Sequence, residues 1–394
     1  MNLSLNNTQN AFAYKSNTDL NKAKWLFTVI QNPWIVSLGT RFTPMLMKSG
    51  LPINGLIRST IFNQFVGGET LEESARVTKM LGSYGVQVIL DYGVEAKEGD
   101  ASFDAVTEQF IAAIEFAATQ DNVPFVSVKL TGLSSMHLLE RLNDAPRLRS
   151  GIHDSESDDA AWNRLKERMY AICDVAATHG IGILIDAEET WIQDPIDRLA
   201  IELMGVYNKE KVIVYNTYQL YRSDRLRFLE LSHKIAAEGN FILGAKLVRG
   251  AYMEKERARA MELGYPSPIQ PSKESTDRDY DTAIGICMTK IELVSIIVAS
   301  HNEKSNLLAA NESGSKHLPA MHPHLHFSQL YGMSDNLTFN LADAGYNVSK
   351  YLPFGPVHEV IPYLMRRAQE NSSVSGQTGR ELELIKREFA RRKI

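Results

Sequence analysis

The sequence is poor in the features that mark several common classes of protein. It has only two cysteines, Cys173 and Cys287, which lie far apart and form neither a disulfide framework nor a metal-binding motif. It contains no GxGxxG or GxxxxGK[ST] stretch, which weakens, without excluding, a doubly wound nucleotide-binding sheet. With a net charge of −5 and no long basic run, the chain is not expected to bind nucleic acid.

Signals for export or for membrane insertion are also missing. The first twenty residues are polar, with no apolar core and no arginine-rich amphipathic pattern of the kind that directs a chain to an organelle. The longest apolar runs, such as residues 293–299, are too short to cross a bilayer. We therefore expect a cytoplasmic protein, with peripheral contact at the inner membrane left open.

The chain does contain short apolar, β-branched runs that alternate with longer amphipathic stretches. This alternation is typical of parallel βαβ units, and eight strands are the number that closes a (β/α)₈ barrel. We predict a distorted TIM-like α/β barrel over residues 81–394, preceded by an N-terminal helical arm over residues 1–80. The predicted strands span residues 86–92, 125–130, 181–186, 212–216, 241–248, 294–300, 324–330 and 347–354.

Polar or charged residues stand in the last part of most predicted strands or just after them, at the end where barrel enzymes place their active sites. In chain order they are Lys129, Asp186, Asn216, Gln219, Lys246, Arg249, His301, Asn302, Gln329 and Tyr351. A barrel that served only as a scaffold would not need such a ring of polar groups. The pattern therefore favours an enzyme, although it contains no evident Ser-His-Asp triad.

Two features of this ring allow more than one interpretation. Lys129 is either a Schiff-base lysine, as in barrel aldolases, or the ion-pair partner of a carboxylate such as Asp186, and the ion pair is favoured. His322, His324 and His326 alternate along a predicted strand and are either metal ligands or ordinary strand residues. Because no nearby carboxylate or cysteine completes a site, we expect no metal.

The stretch YLMRRAQEN is expected to be helical, with a charged stripe along one face. The stripe consists of Tyr363, Arg366, Arg367 and Glu370. It is either a solvated face with an intrahelical ion pair or a cradle for a small anion, since arginine binds carboxylates in a bidentate manner. Pro362 either begins this helix or kinks a helix that starts near Pro356.

Five segments together resemble the proline dehydrogenase family, from about residue 66 to about residue 390. They are GAKLVRGAYMEKERARA, NTYQLYR, ASHNE, YLPFGPV and YLMRRAQEN. The resemblance implies a barrel that binds FAD and oxidises L-proline to Δ1-pyrroline-5-carboxylate, the first step of proline degradation to glutamate. It also implies hydride transfer from C5 to FAD, a membrane quinone as electron acceptor, peripheral membrane contact, and a monofunctional enzyme acting beside a separate pyrroline-5-carboxylate dehydrogenase.

The resemblance also implies roles for individual residues. Arg366, Arg367 and Lys129 would bind the proline carboxylate, with Asp186 and Glu370 orienting these groups. The side chains expected around the proline ring and the flavin are Tyr351, Tyr363, Leu247, Ala251 and Tyr252, and the expected FAD contacts are Asn216, Gln219, Lys246, Val248, Arg249, Gly250, His301, Asn302 and Gln329. The tyrosine at position 351 implies a preference for proline, since hydroxyproline-preferring relatives have a smaller residue there.

Three other interpretations remain open. They are a different flavin barrel, such as a relative of methylenetetrahydrofolate reductase, a Schiff-base aldolase, and a non-catalytic scaffold. The ring of charge disfavours the scaffold, and the set of motifs disfavours the other two.

Overall fold

A closed barrel of eight parallel strands dominates the computed structural model, which describes residues 3–32, 34, 36–37, 54–93, 97–144, 156–373 and 377–394. The strands follow one another around the barrel in chain order, which confirms the predicted TIM-like fold. Each of them overlaps one predicted run. They are β1 (Gln87–Tyr92), β2 (Phe125–Val128), β3 (Gly182–Ile185), β4 (Val214–Gln219), β5 (Leu243–Val248), β6 (Val294–Ala299), β7 (Leu325–Leu330) and β8 (Val348–Phe354).

Helices precede the barrel and connect its strands. Those before β1 are α1 (Thr8–Ala11), α2 (Asn17–Ile30), α3 (Asn54–Ile57), a π-helical turn (Arg58–Phe62), α4 (Asn63–Phe65) and α5 (Leu71–Gly82). Those after β1 are α6 (Asp100–Ala118), α7 (Met136–Asp144), α8 (Glu156–His179), α9 (Thr190–Tyr207), α10 (Arg225–Glu238), α11 (Met253–Leu263), α12 (Lys273–Thr289), α13 (Glu303–Ser315), α14 (Asp335–Asp343), α15 (Val357–Ser373) and α16 (Gln377–Arg392). No helix in the described ranges is both long and apolar enough to cross a membrane.

The strands are almost completely buried, as parallel strands covered by helices usually are. Their register places Thr217 of β4 beside Lys246 of β5, and Ile89 of β1 beside Tyr351 of β8. Because side chains alternate between the two faces of a strand, this register decides which residues share a face.

Contacts group the chain into two compact units, residues 1–93 with 328–394, and residues 94–327. In the second unit, the Tyr215 hydroxyl lies 2.9 Å from Ser295 Oγ, and the Phe125 ring packs edge-on against both Tyr215 and His326. These side chains come from four different strands, so they mark the inner face of the sheet. The domain boundary near residue 80 stays a prediction.

In the first unit, a hydrophobic cluster joins the N-terminal helices to the last two helices of the chain. It includes Phe27, Phe65, Met333, Tyr363 and Leu384. Helix α15 belongs to this cluster and contains Pro362 in its interior. The interpretation in which Pro362 begins the helix is therefore wrong, because the helix starts directly after Pro356.

Candidate active site

Three charged residues meet where β2, β3 and β5 end. Lys246 Nζ donates to Asp186 Oδ1 at 2.5 Å, and Lys129 Nζ lies 3.5 Å from Asp186 Oδ2. The favoured ion pair between Lys129 and Asp186 is confirmed. Strands β3 and β5 are separated by β4, so Asp186 and Lys246 meet on the inner side of the sheet. We call Lys129, Asp186 and Lys246 the strand-end cluster.

The strand-end cluster consists of two lysines that both pair with one carboxylate, that of Asp186. All three residues are buried, and charges removed from water interact more strongly than exposed ones. Removing charges from water also costs free energy, which a paired arrangement only partly offsets. Lysine side chains at this strand end carry the sign of charge that attracts an anionic ligand or stabilises negative charge that develops on one.

Glu188, just after β3, fixes the neighbouring loop and a predicted cofactor residue. Its carboxylate accepts from the Thr131 backbone N–H at 3.1 Å and from the Thr131 hydroxyl at 2.6 Å. Its backbone carbonyl accepts from Gln219 Nε2 at 2.7 Å. No role was predicted for Glu188, because its neighbours in the sequence do not show that it hydrogen-bonds to a loop far away in the chain.

Arg249, just after β5, is held by residues of α12, of the turn after β6 and of α13. Its Nε donates to Asp277 Oδ1 at 2.7 Å, and its two Nη atoms donate to Ser300 and Ser305 at 2.6 and 3.0 Å. The guanidinium also stacks on the Tyr280 ring, 4.2 Å from the centroid. The sequence predicted Arg249 but none of these partners, since they lie some 28 to 56 residues further along the chain.

The ends of β5 and β6 are more open than the strand interiors. Val248, Arg249, His301 and Asn302 are half-buried, and Gly250 and Ala251 are exposed. Cationic and amide donors on a partly open strand end suit the anionic and polar groups of a flavin nucleotide. These residues therefore fit such a cofactor.

Gly250 is required by its backbone and by its surroundings. Its φ is +132°, a conformation that residues with a Cβ rarely adopt. A Cβ built there would lie 2.5 Å from the Tyr221 ring. Both the backbone conformation and the neighbouring Tyr221 ring therefore require glycine at this position.

Asn216 and Leu247 do not join the strand-end cluster. Asn216 Nδ2 donates to Asp197 Oδ1 at 2.9 Å, and Asp197 in turn pairs with Arg225 at 2.6 Å, so this amide faces helices α9 and α10. Leu247 follows Lys246 on β5 and therefore lies on the opposite face of that strand. Their contacts to flavin or substrate stay predictions.

In the first unit, Gln329 and Tyr351 lie on β7 and β8. Gln329 is buried, and its Oε1 accepts from the Thr338 hydroxyl of α14 at 2.8 Å. Tyr351 is also buried, and its backbone carbonyl accepts from the Tyr331 N–H at 2.9 Å. The amide of Gln329 is thus oriented toward a helix, and its flavin contact stays a prediction.

Helix α15 contains the predicted charged stripe. Arg367 is buried, and its guanidinium lies 5.2 Å from the centroid of the buried Tyr363 ring, a cation–π contact. Arg366 is half-buried. The helical interpretation is confirmed, while the side chain of Glu370 lies outside what the structure describes. In the second unit, Tyr252 is half-buried and directly precedes α11.

The three alternating histidines contact different partners. His326 packs edge-on against Phe125, and burial lowers its pKa to about 3. His324 Nδ1 lies 2.7 Å from the Ile291 carbonyl, and its backbone N–H donates to His322 Nδ1 at 3.1 Å. Within the described part of the chain, no group of three potential ligands is arranged to hold a metal ion.

Comparison with known proteins decides the family. A sequence model of the family described as proline dehydrogenase matches residues 74–380. The chain belongs to the proline dehydrogenase family. Membership makes it an oxidoreductase that acts on proline in proline catabolism, and it implies a flavin cofactor. The aldolase and scaffold interpretations are thereby set aside.

Curated relatives of the family are similar over most of their length. Proline dehydrogenase 1 of Dictyostelium discoideum is 33% identical, with 98% of this chain and 74% of that protein covered. The Arabidopsis thaliana enzyme of the same name is 35% identical, with 86% and 76% covered. A protein named for carbapenem antibiotic biosynthesis, CarD of Pectobacterium carotovorum, is 33% identical, with 86% of each chain covered.

Solved structures of the family share the fold. Proline utilization A of Bdellovibrio bacteriovorus, inactivated by N-propargylglycine, superposes with a TM-score of 0.77 at 20% identity. The match covers 90% of this chain but only 38% of that longer protein. At this level of identity the similarity supports the barrel architecture, and the chemistry must be argued from the residues themselves.

Proposed function

We propose that this enzyme binds FAD, oxidises L-proline at C5 to Δ1-pyrroline-5-carboxylate, and passes the electrons to a membrane quinone. FAD supplies the hydride acceptor. The observation that carries the proposal is the arginine pair on α15, in which Arg367 is buried against Tyr363 and Arg366 is half-buried. Arginine is the residue type best suited to bidentate binding of a carboxylate, and proline has a carboxylate.

The arginines would bind and orient the substrate. Each guanidinium offers a planar pair of donors that matches a carboxylate, and the pair fixes the direction in which the proline ring extends. Stacking on Tyr363 limits the freedom of Arg367 before substrate arrives, so less conformational entropy is lost on binding. Glu370 would orient one guanidinium, and Tyr351 would line the ring.

The strand-end cluster and the residues after it would serve the cofactor and the carboxylate. We assign Lys246, Gln219, Arg249, His301 and Asn302 to FAD, with the Val248 and Gly250 main chain beside it. Support comes from the two lysines that the cluster brings to this strand end and from the partly open ends of β5 and β6. Positive charge near a flavin favours its reduced, anionic form.

The remaining assignments concern Lys129, Asp186, Ala251 and Tyr252. Lys129 would add a third cation for the carboxylate, and Asp186 would hold it in place through the observed ion pair. Ala251 and Tyr252 would lie on the flavin side of the proline ring and exclude water from C5.

The acceptor determines where the enzyme works. Because a membrane quinone is lipid-soluble, we propose that the enzyme binds peripherally at the inner membrane from the cytoplasm. The product would pass to a separate pyrroline-5-carboxylate dehydrogenase.

Replacing Arg366 tests the proposal. Arg366→Met removes one guanidinium while keeping a helix-forming side chain of similar length. We expect the KM for L-proline to rise by about 100-fold or more, because truncating one partner of a desolvated charge pair costs about 2–5 kcal/mol. FAD content per chain, measured by absorbance after gel filtration, should stay unchanged.

Arg387→Met is the matched control, since Arg387 is an exposed arginine on α16 that pairs with Glu383. It should leave both KM and FAD content as in the parent enzyme. An unchanged KM for Arg366→Met would reject the role of the arginine pair, and loss of FAD in the same variant would mean that α15 supports the cofactor instead.

A further inference from the structure

Five consecutive residues after β7 are each bonded to another part of the first unit. We call residues 331–334 together with Asp335, the first residue of α14, the β7–α14 loop. The Tyr331 N–H donates to the Tyr351 carbonyl at 2.9 Å, which ties the start of the loop to β8. The Gly332 carbonyl accepts from Gln64 Nε2 at 2.7 Å, which ties the loop to α4.

The next three residues are bonded through charged side chains. Lys350 Nζ donates to the Met333 carbonyl at 2.5 Å and pairs with Asp335 Oδ1 at 2.8 Å. The Ser334 N–H donates to Glu381 Oε1 at 2.6 Å. A strand, the last helix and the loop itself therefore converge on these three residues.

The N-terminal segment completes the arrangement around Asp335. The Tyr14 hydroxyl donates to Asp335 Oδ2 at 2.7 Å, and Lys15 Nζ lies 3.8 Å from the same oxygen. Lys15, Asp335, Lys350 and Glu381 together form what we call the loop cluster. Each of them lies far from at least one other in sequence, so the cluster exists only in the folded chain.

Stability alone does not account for a lysine at position 350. Its side chain is fully buried, at 0% exposed. A buried ion pair is often no more stabilising than apolar side chains of similar volume, because desolvation offsets the attraction. What Lys350 provides, and an apolar side chain cannot, is a directed bond to the Met333 carbonyl that fixes the loop.

The loop in turn supports the arginine helix. The Met333 side chain belongs to the same hydrophobic cluster as Val360, Tyr363 and Leu364 of α15. Arg367 stacks on Tyr363 in that cluster. Met333 and the Tyr363 ring that carries the Arg367 guanidinium are therefore packed into one cluster.

We propose that Lys350 is a positioning residue for substrate carboxylate recognition: it fixes the β7–α14 loop and thereby sets the place of Arg366 and Arg367. This inference rests on the proposed role of the arginine pair. It predicts that loss of Lys350 weakens recognition of the carboxylate specifically, without impairing oxidation of a ring that lacks one.

The test compares two substrates in the flavin-loaded enzyme. L-proline has the carboxylate and pyrrolidine does not, while both present the same ring and amine. For Lys350→Met we expect kcat/KM for proline, normalised to bound flavin, to fall by about 10- to 100-fold, mainly through KM. The kcat/KM for pyrrolidine should stay within about twofold of the parent enzyme, a split that simple destabilisation would not produce.

Two further variants keep the test decisive. The double variant Lys350→Met/Asp335→Asn also removes the buried carboxylate that Lys350→Met alone deprives of its Lys350 partner. If Lys350→Met does not fold, the double variant is measured in its place. Lys209→Met is the matched control, because Lys209 Nζ also donates to a loop carbonyl, that of Gly239 at 2.9 Å, in the other unit. It should preserve the ratio of the two kcat/KM values.

Equal losses for proline and pyrrolidine, or no loss for either, would overturn the inference. Kinetics of Arg366→Met, measured alongside these variants, distinguish a failure of the positioning role of Lys350 from a failure of the proposed function of the arginine pair. If Arg366→Met abolishes the preference for proline and Lys350→Met does not, only the positioning role fails. If Arg366→Met leaves the preference intact, the proposed function of the arginine pair fails first.

Discussion

Two aspartates in this chain each lie near two lysines whose side chains are largely buried. Asp186 lies between Lys129 and Lys246 in the strand-end cluster, and Asp335 lies between Lys350 and Lys15 in the loop cluster. The first joins side chains from the ends of three strands. The second also bonds main-chain groups, through the Met333 carbonyl and the Ser334 N–H.

The difference shows that position on a strand, more than residue type, decides what such a cluster does. Asp186 follows the last residue of β3, at the barrel end where active sites occur, and it gathers two lysines there. Lys350 lies within β8 and is directed toward α14, where its ammonium group binds residues of the β7–α14 loop. The first cluster is therefore expected to govern activity and the second to govern stability and substrate orientation.

The largest expected effect comes from removing the aspartate of the loop cluster. Burial alone would raise the pKa of Asp335, but Lys350 and Lys15 lower it, so the carboxylate is charged and paired. We expect Asp335→Ala to lower the free energy of unfolding by about 3–5 kcal/mol, because it leaves a buried lysine without its partner. Urea denaturation followed by circular dichroism measures this, and a change below about 1 kcal/mol would contradict the assigned importance of the pair.

The same change in the strand-end cluster should reduce activity more than stability. We expect Asp186→Ala to lower kcat/KM for proline by about 100-fold, equivalent to about 2.7 kcal/mol, because Lys129 and Lys246 lose the carboxylate that holds both of them in place. Steady-state kinetics beside denaturation curves of both aspartate variants gives the comparison. If Asp186→Ala and Asp335→Ala showed the same ratio of activity loss to stability loss, the proposed division of roles would be wrong.

The loop cluster also contains a carboxyl group that titrates near neutral pH. Burial, followed by the negative charge of Asp335, raises the pKa of Glu381 from 4.5 to about 7, although the Ser334 N–H, Lys350 and Lys15 act in the opposite direction. Between pH 4.5 and pH 7, Glu381 retains its proton in the folded chain but loses it in the unfolded chain. The stability that this provides is fully present below pH 4.5 and is lost as the pH rises through 7.

Glu381→Gln should remove this dependence. For the parent enzyme we expect a loss of about 2 kcal/mol from this group between pH 5 and pH 8, and for the variant a correspondingly flatter curve. Denaturation at several pH values measures it. Glu383→Gln, an exposed neighbour on α16, is the control and should keep the slope of the parent; a variant at position 381 with that same slope would disprove the assignment.

The smallest effect concerns two neighbours on β8 that face opposite sides. Lys350 is directed toward α14, so Tyr351 lies on the other face. We expect Tyr351→Ser to raise the ratio of kcat/KM for 4-hydroxyproline to that for proline by about tenfold, since it frees space for a hydroxyl group. Lys350→Met should not change this ratio, and a shift in both variants would show that the two faces are not independent.

The fold was predictable from sequence because its strands are β-branched apolar runs of strand length separated by helical patterns. The side of the sheet toward which an individual side chain points was less predictable. The predicted fourth strand ended at Asn216, whereas β4 continues to Gln219, which places Asn216 in mid-strand with its amide against Asp197. Because side chains alternate along a strand, a residue in mid-strand is held to one face, whereas one at a strand end can turn toward the site.

The loop cluster could not be predicted from the sequence pattern. Lys15 and Asp335 are 320 positions apart, and Lys350 stands in a strand that reads as an ordinary mixed run. Only the folded chain brings them together. By contrast, Lys129 and Asp186 were predicted as a pair because each directly follows a buried strand, and adjacent parallel strands end at the same side of the sheet.

The central claim is that a flavin bound to this chain is reduced by L-proline. The absorption spectrum of the purified protein, recorded anaerobically before and after L-proline is added, tests it most directly. The account predicts an oxidised flavin spectrum that bleaches with L-proline and bleaches much less with 4-hydroxyproline. A bound flavin that remains oxidised in the presence of proline would contradict it.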